Sequence, residues 1–76
     1  MSNIPSISGK KVVKAFERLG FSVDRVNGSH FVMKKEGHRY NLSVPVHGNS
    51  DVKRGTLKGL IAASGYTLGQ FLESVK

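Results

Sequence analysis

Gly28-Ser29-His30 puts an imidazole directly after two residues that favour a tight turn. Asn27-Gly28 is a strong signal for a two-residue hairpin. His30 is then the first ladder residue of a strand. Unperturbed imidazole titrates at about pH 6.5, so it takes or gives a proton near neutrality. RNA brings its own nucleophile, the ribose 2′-hydroxyl. A base that removes that proton starts in-line attack on the adjacent phosphate. The products are a 2′,3′-cyclic phosphate and a 5′-hydroxyl end. This route needs no metal and no cofactor, and DNA is spared. General acid–base help of this kind is worth about a hundred- to ten-thousand-fold. The competing reading is a histidine packed at a strand edge. The residues alone leave both open.

Two further histidines are present. His47 lies in Pro45-Val46-His47-Gly48, after the last strand. It suits an acid partner, a phosphate contact or a loop hydrogen bond, and the residues do not choose. His38 follows Gly37 in a turn and reads as surface. The three are widely spaced, with no HxH or HExxH pattern, so no metal site is expected.

Phosphate binding has its own candidates. Lys53, Arg54 and Lys58 surround the start of a helix, where free N–H groups and the helix dipole favour anions. Lys10, Lys11 and Lys14 do the same near an earlier helix. Each lysine singly also fits a solvated face. Tyr40 and Phe31 offer rings for stacking unpaired bases, or for core packing.

The elements that hold these residues follow from periodicity. Residues 1–7 form a loose lead-in, and Ser8 is an N-cap. Lys10 to Leu19 is an amphipathic helix with Val12, Phe16 and Leu19 on one stripe and Val13 beside them. Gly20 ends it. Phe21 to Asp24 alternates as a first strand. His30 to Lys35 is the second, with His30, Val32 and Lys34 on one face and Phe31 and Met33 on the other. Glu36-Gly37 turns the chain into a third strand, His38 to Val44, with Tyr40, Leu42 and Val44 on one face. Pro45 ends the ladder, because it has no N–H to give. After a polar loop, Val46 to Asp51, a helix runs from about Lys53 or Thr56 to Ser64, and Gly65 stops it. Thr67 caps a short third helix with Leu68, Phe71, Leu72 and Val75 on its stripe. This order predicts an α+β fold: three antiparallel strands with helices on one face and the other face open. Helix–strand–strand–strand–helix is also the order of double-stranded-RNA-binding domains.

Composition bounds the rest. With 76 residues, one domain spanning 1–76 and a thin core are expected. Cysteine is absent, which removes disulfides and thiolate metal sites and suits a reducing cytoplasm. Nothing near Met1 to Ile7 resembles a signal peptide, and no apolar run is long enough to span a membrane. Twelve Lys and Arg against five Asp and Glu leave a net charge of +7. That excess favours a polyanion or an acidic protein partner, and also solubility alone.

Three stretches carry a family resemblance: Ser8 to Phe21, Gly28-Ser29-His30, and Pro45-Val46-His47 with Arg54-Gly55-Thr56-Leu57 and Ala63-Ser64-Gly65. From about Ser6 to Val75 the chain resembles HicA, the toxin of HicA–HicB toxin–antitoxin pairs. The resemblance implies a double-stranded-RNA-binding-like fold and an mRNA interferase, an endoribonuclease that halts translation. It implies His30 as the catalytic residue, with Gly28 and Ser29 shaping its presentation. It implies a HicB-like antitoxin that covers the site, with one toxin monomer inside a larger complex. The chain departs at Phe31, where many members carry another histidine or polar residue, a difference that bears on cleavage preference. Two other readings use the same residues: a non-catalytic RNA-binding module, and an inactive relative that only binds its antitoxin.

Overall fold

Ser8 begins the first helix as a side-chain cap. In the computed structural model, which describes residues 4–76, its hydroxyl accepts from the Lys11 N–H at 3.4 Å. The part of the expected lead-in on residues 1–3 lies outside the described residues. Helix α1 runs Gly9–Arg18, one residue earlier at each end than the apolar stripe suggests. It buries Val12, Val13, Ala15 and Phe16. Leu19 closes it, and Gly20 takes a positive φ of 102°.

Three antiparallel strands follow: β1 Ser22–Asn27, β2 His30–Lys34 and β3 Leu42–Pro45, in the order β1-β2-β3. Strand β1 is longer than its alternation predicts. Val23 pairs with Met33 and Arg25 with Val32, so Asp24 is an extra, unpaired residue. Such a bulge resets the two-residue period. It moves Val26 opposite Phe31, on the same face as Val23, although the two are an odd number of positions apart.

Strand β3 is shorter than expected because His38 leaves the ladder. The His38 Nε2–H donates to the Ala63 carbonyl at 2.7 Å, and the ring stands edge-on to Phe21 at 5.3 Å. His38 is therefore half-buried and structural, not the surface residue that its turn suggested. Tyr40 is likewise off the strand and 57% exposed. Pro45 does not stop the ladder; it is the last paired residue, opposite His30. Strand β3 is at the sheet edge, where a residue without an N–H is tolerated.

Helix α2 spans Arg54–Ser64 and ends at a left-handed Gly65. Helix α3 spans Leu68–Val75, with Thr67 and Gln70 forming a reciprocal capping box. Phe71 is fully buried and lies 5.1 Å from the Phe16 ring. Arg18 donates to the carbonyls of Ser74 and Lys76, both at 2.7 Å, and so fastens the end of α3 to the end of α1. The sheet face carrying Met33, Leu42 and Val44 is buried with Leu57, Phe16 and Phe71. The other face, with His30, Lys34 and Ser43, is exposed. This is the expected α+β arrangement, an α-β-β-β-α-α order with one open sheet face. No helix among the described residues is long and apolar enough to cross a membrane.

Candidate active site

The hairpin that carries His30 turns through Gly28 and Ser29, since Asn27 and His30 are the last paired residues. Gly28 has φ +64°, while among the described residues none other than glycine takes a positive φ. A left-handed first residue and an ordinary second one match the signs of a type II′ turn. Asn27-Gly28 suggested a turn centred one position earlier. The outcome for His30 is unchanged: it starts the strand. A side chain at Gly28 would meet nothing within 4 Å, so the turn needs its backbone freedom and not the space.

His30 is held on both flanks, by Asn27 on β1 and Pro45 on β3. Its ring is exposed on the open face of the sheet. The face of β2 that meets the helices is Met33's, not His30's. Phe31 points with Met33 and packs half-buried against the core, which leaves it little ring for stacking.

The chain leaving β3 folds back towards the same turn. The Val46 N–H donates to the Ser29 carbonyl at 2.7 Å. This bond brings His47 beside His30. The two rings lie 6.4 Å apart, centroid to centroid, at an interplanar angle of 80°. Among the described residues, neither ring makes a side-chain hydrogen bond, so both are free to meet a ligand. His38 is elsewhere, beyond the far end of β2.

The loop after His47 is tied down at several points. The Ser50 N–H donates to the His47 carbonyl at 2.9 Å, and the Gly9 N–H to the Ser50 carbonyl at 3.4 Å. Ser8 and Asp51 form a bridge, and the Val52 N–H donates to the Ile7 carbonyl at 2.8 Å. The segments that enter α1 and α2 are therefore laced together, and Gly9 abuts Pro45 and Val46. One end of the molecule gathers the start of β2, the end of β3 and both helix N-termini.

Lys10 follows Gly9, and Lys53 and Arg54 follow Val52, so these three exposed cations belong to the gathered end. Lys11 and Lys14 instead line a shallow groove with Arg18 and Val75, and Lys58 one with Ile4, Ala62 and Leu68. Neither groove contains a histidine. Among the described residues, none of the six basic candidates is in an ion pair. The pairs lie on Asp24, with Arg25 and Lys34 at 3.1 Å each, and between Lys76 and Glu73. The Lys34 ammonium, and secondarily Arg25, hold the Asp24 carboxyl below its ordinary range. No cluster of three or more metal-ligating side chains is found among the described residues.

Two of these relationships are invisible in the sequence. One is the nearness of His47 to His30, since an acid partner is only one of three roles that the residues around His47 suit. The other is Gly9, whose lack of a side chain lets α1 meet β3. A family model described as HicA toxin of bacterial toxin-antitoxin matches residues 9–66. No curated protein matches the chain.

Proposed function

Because the chain belongs to the HicA toxin family of bacterial toxin–antitoxin systems, we propose that it is a metal-independent endoribonuclease in which His30 is the general base. The family also implies an antitoxin partner, and the reading takes this to be a HicB-like protein that covers the histidine face. The observation that carries it is the setting of His30. Its imidazole is exposed, makes no side-chain hydrogen bond among the described residues, and is fixed on both flanks at a turn. Exposed cations stand at the start of both neighbouring helices, where dipole and charge together favour phosphate.

The chemistry asks little of the protein. His30 takes the 2′-hydroxyl proton, the 2′-oxygen attacks phosphorus, and the 5′-oxygen leaves. A 2′,3′-cyclic phosphate and a 5′-hydroxyl result. An antitoxin that binds the folded toxin also stabilises so small a domain by mass action.

The test is to express the protein and its His30→Ala variant and follow growth and RNA integrity. The unsubstituted protein is expected to arrest growth and cut RNA, with EDTA making no difference; the variant does neither. A single 2′-deoxynucleotide at the cleaved linkage blocks cutting. Equal toxicity of the two proteins overturns the reading. RNA binding without cleaved ends would make the protein a binding module.

A further inference from the structure

We propose that His47 is the general acid of the same reaction, protonating the 5′-oxygen as it leaves. This inference rests on the reading of His30 as the base. It starts from the two rings, 6.4 Å apart and nearly perpendicular, held by one backbone bond from Val46 to Ser29.

In-line transfer has two proton problems, one on each side of phosphorus. The base solves the first. The second is an alkoxide leaving group, which departs slowly unless a proton reaches it. The donor must hold a proton at neutral pH and yet release it readily. Carboxylates have none to give there, and lysine and arginine hold theirs too tightly. Imidazole meets both needs. Of the other two histidines, His38 is bonded to the Ala63 carbonyl and lies beyond the opposite end of β2. That end is about 13 Å away, at about 3.3 Å per residue. His47 alone shares the phosphate's surroundings with His30.

The protons balance. Neutral His30 gains the 2′-hydroxyl proton as the O2′–P bond forms. Protonated His47 gives its proton to the 5′-oxygen as the P–O5′ bond breaks. No co-reactant is consumed, and exchange with water restores both rings. The pair is also built to stay together. Pro45 faces His30 in the ladder, and the loop beyond it is anchored on Ile7, Ser8 and Gly9.

A sulfur leaving group separates this role from others. A thiol is a far stronger acid than an alcohol, so thiolate leaves without a proton. The test uses RNA oligonucleotides with one cleavable linkage, either all-oxygen or with sulfur in place of the bridging 5′-oxygen. His47→Ala is expected to slow cleavage of the oxygen linkage by about a hundred- to ten-thousand-fold, yet cut the sulfur linkage nearly as fast as the unsubstituted protein. His30→Ala is slow on both. A His47→Ala protein equally slow on both linkages, with an unchanged melting temperature, would make His47 a phosphate contact and overturn the proposal. So would full activity on both. A His47→Ala protein that melts earlier is replaced by His47→Gln, read by the same contrast. Full cleavage by His30→Ala, or none by the unsubstituted protein, overturns the parent reading and this one with it.

Discussion

Gly9 and Pro45 meet so closely that a Cβ on Gly9 would lie 2.3 Å from the Pro45 carbonyl oxygen. The first residue of α1 is thus pressed against the last residue of β3, which is itself paired with His30. Helix, strand end and candidate base form one mechanical unit.

Gly9→Ala therefore should move the strand end. Both cleavage and melting temperature are expected to fall, since the two nearest opposing atoms are backbone and cannot rotate away. Gly59 is the control: it sits inside α2 with nothing within 4 Å of an added Cβ. Gly59→Ala should raise stability by about 0.4–1 kcal/mol through the unfolded chain and the helix, with cleavage unchanged. Loss of neither property in Gly9→Ala would mean that α1 and β3 slide apart freely.

Phe71 is the main anchor of α3. It is fully buried against Phe16. Phe71→Ala is expected to cost about 3–5 kcal/mol, a large share of the stability of so small a domain. Leu72, on the same helix but only half-buried, should cost less. Denaturant unfolding of the two variants checks the order.

Lys53 and Arg54 begin α2 without ion pairs among the described residues. Replacing both with glutamine should weaken RNA binding for all sequences alike. It should also make the dependence of log affinity on log salt shallower by about 1.4, at about 0.7 per lost contact to single-stranded RNA. A salt titration by fluorescence anisotropy measures this. An unchanged slope would put the RNA on another surface.

Asp24 links the bulge of β1 to Lys34 on β2. Its carboxyl is held below the ordinary value of 3.8, first by the Lys34 hydrogen bond and charge. A depressed folded-state value means that the pair stabilises the fold above the ordinary carboxylate range. That contribution is lost as pH falls through the lowered value. The stability gap between the protein and its Lys34→Ala variant should thus be open at neutral pH, and close once Asp24 is protonated. Both groups are near the surface, so high salt should shrink the gap at neutral pH. Unfolding curves at several pH values and two salt concentrations test it.

Much of this protein is local, and the sequence by itself determined it. Ser8, Gly65 and Thr67 cap helices through bonds and dihedrals within their own turns. Gly28 bends the hairpin and starts β2 at His30 for the same reason. Alternation along β2 separated His30 from Met33, because side chains of a strand change sides at every residue. What tertiary structure decided is register. A two-residue turn at Glu36-Gly37 would put Ser43 opposite His30; the folded chain puts Pro45 there. The shift is even, so every residue keeps its face and no apolar pattern could betray it. It arises because His38 leaves the ladder to bond Ala63 on α2, a residue 25 positions away. Sliding β3 by two residues brings the Val46–Ser29 bond into being, and with it a second histidine beside the first.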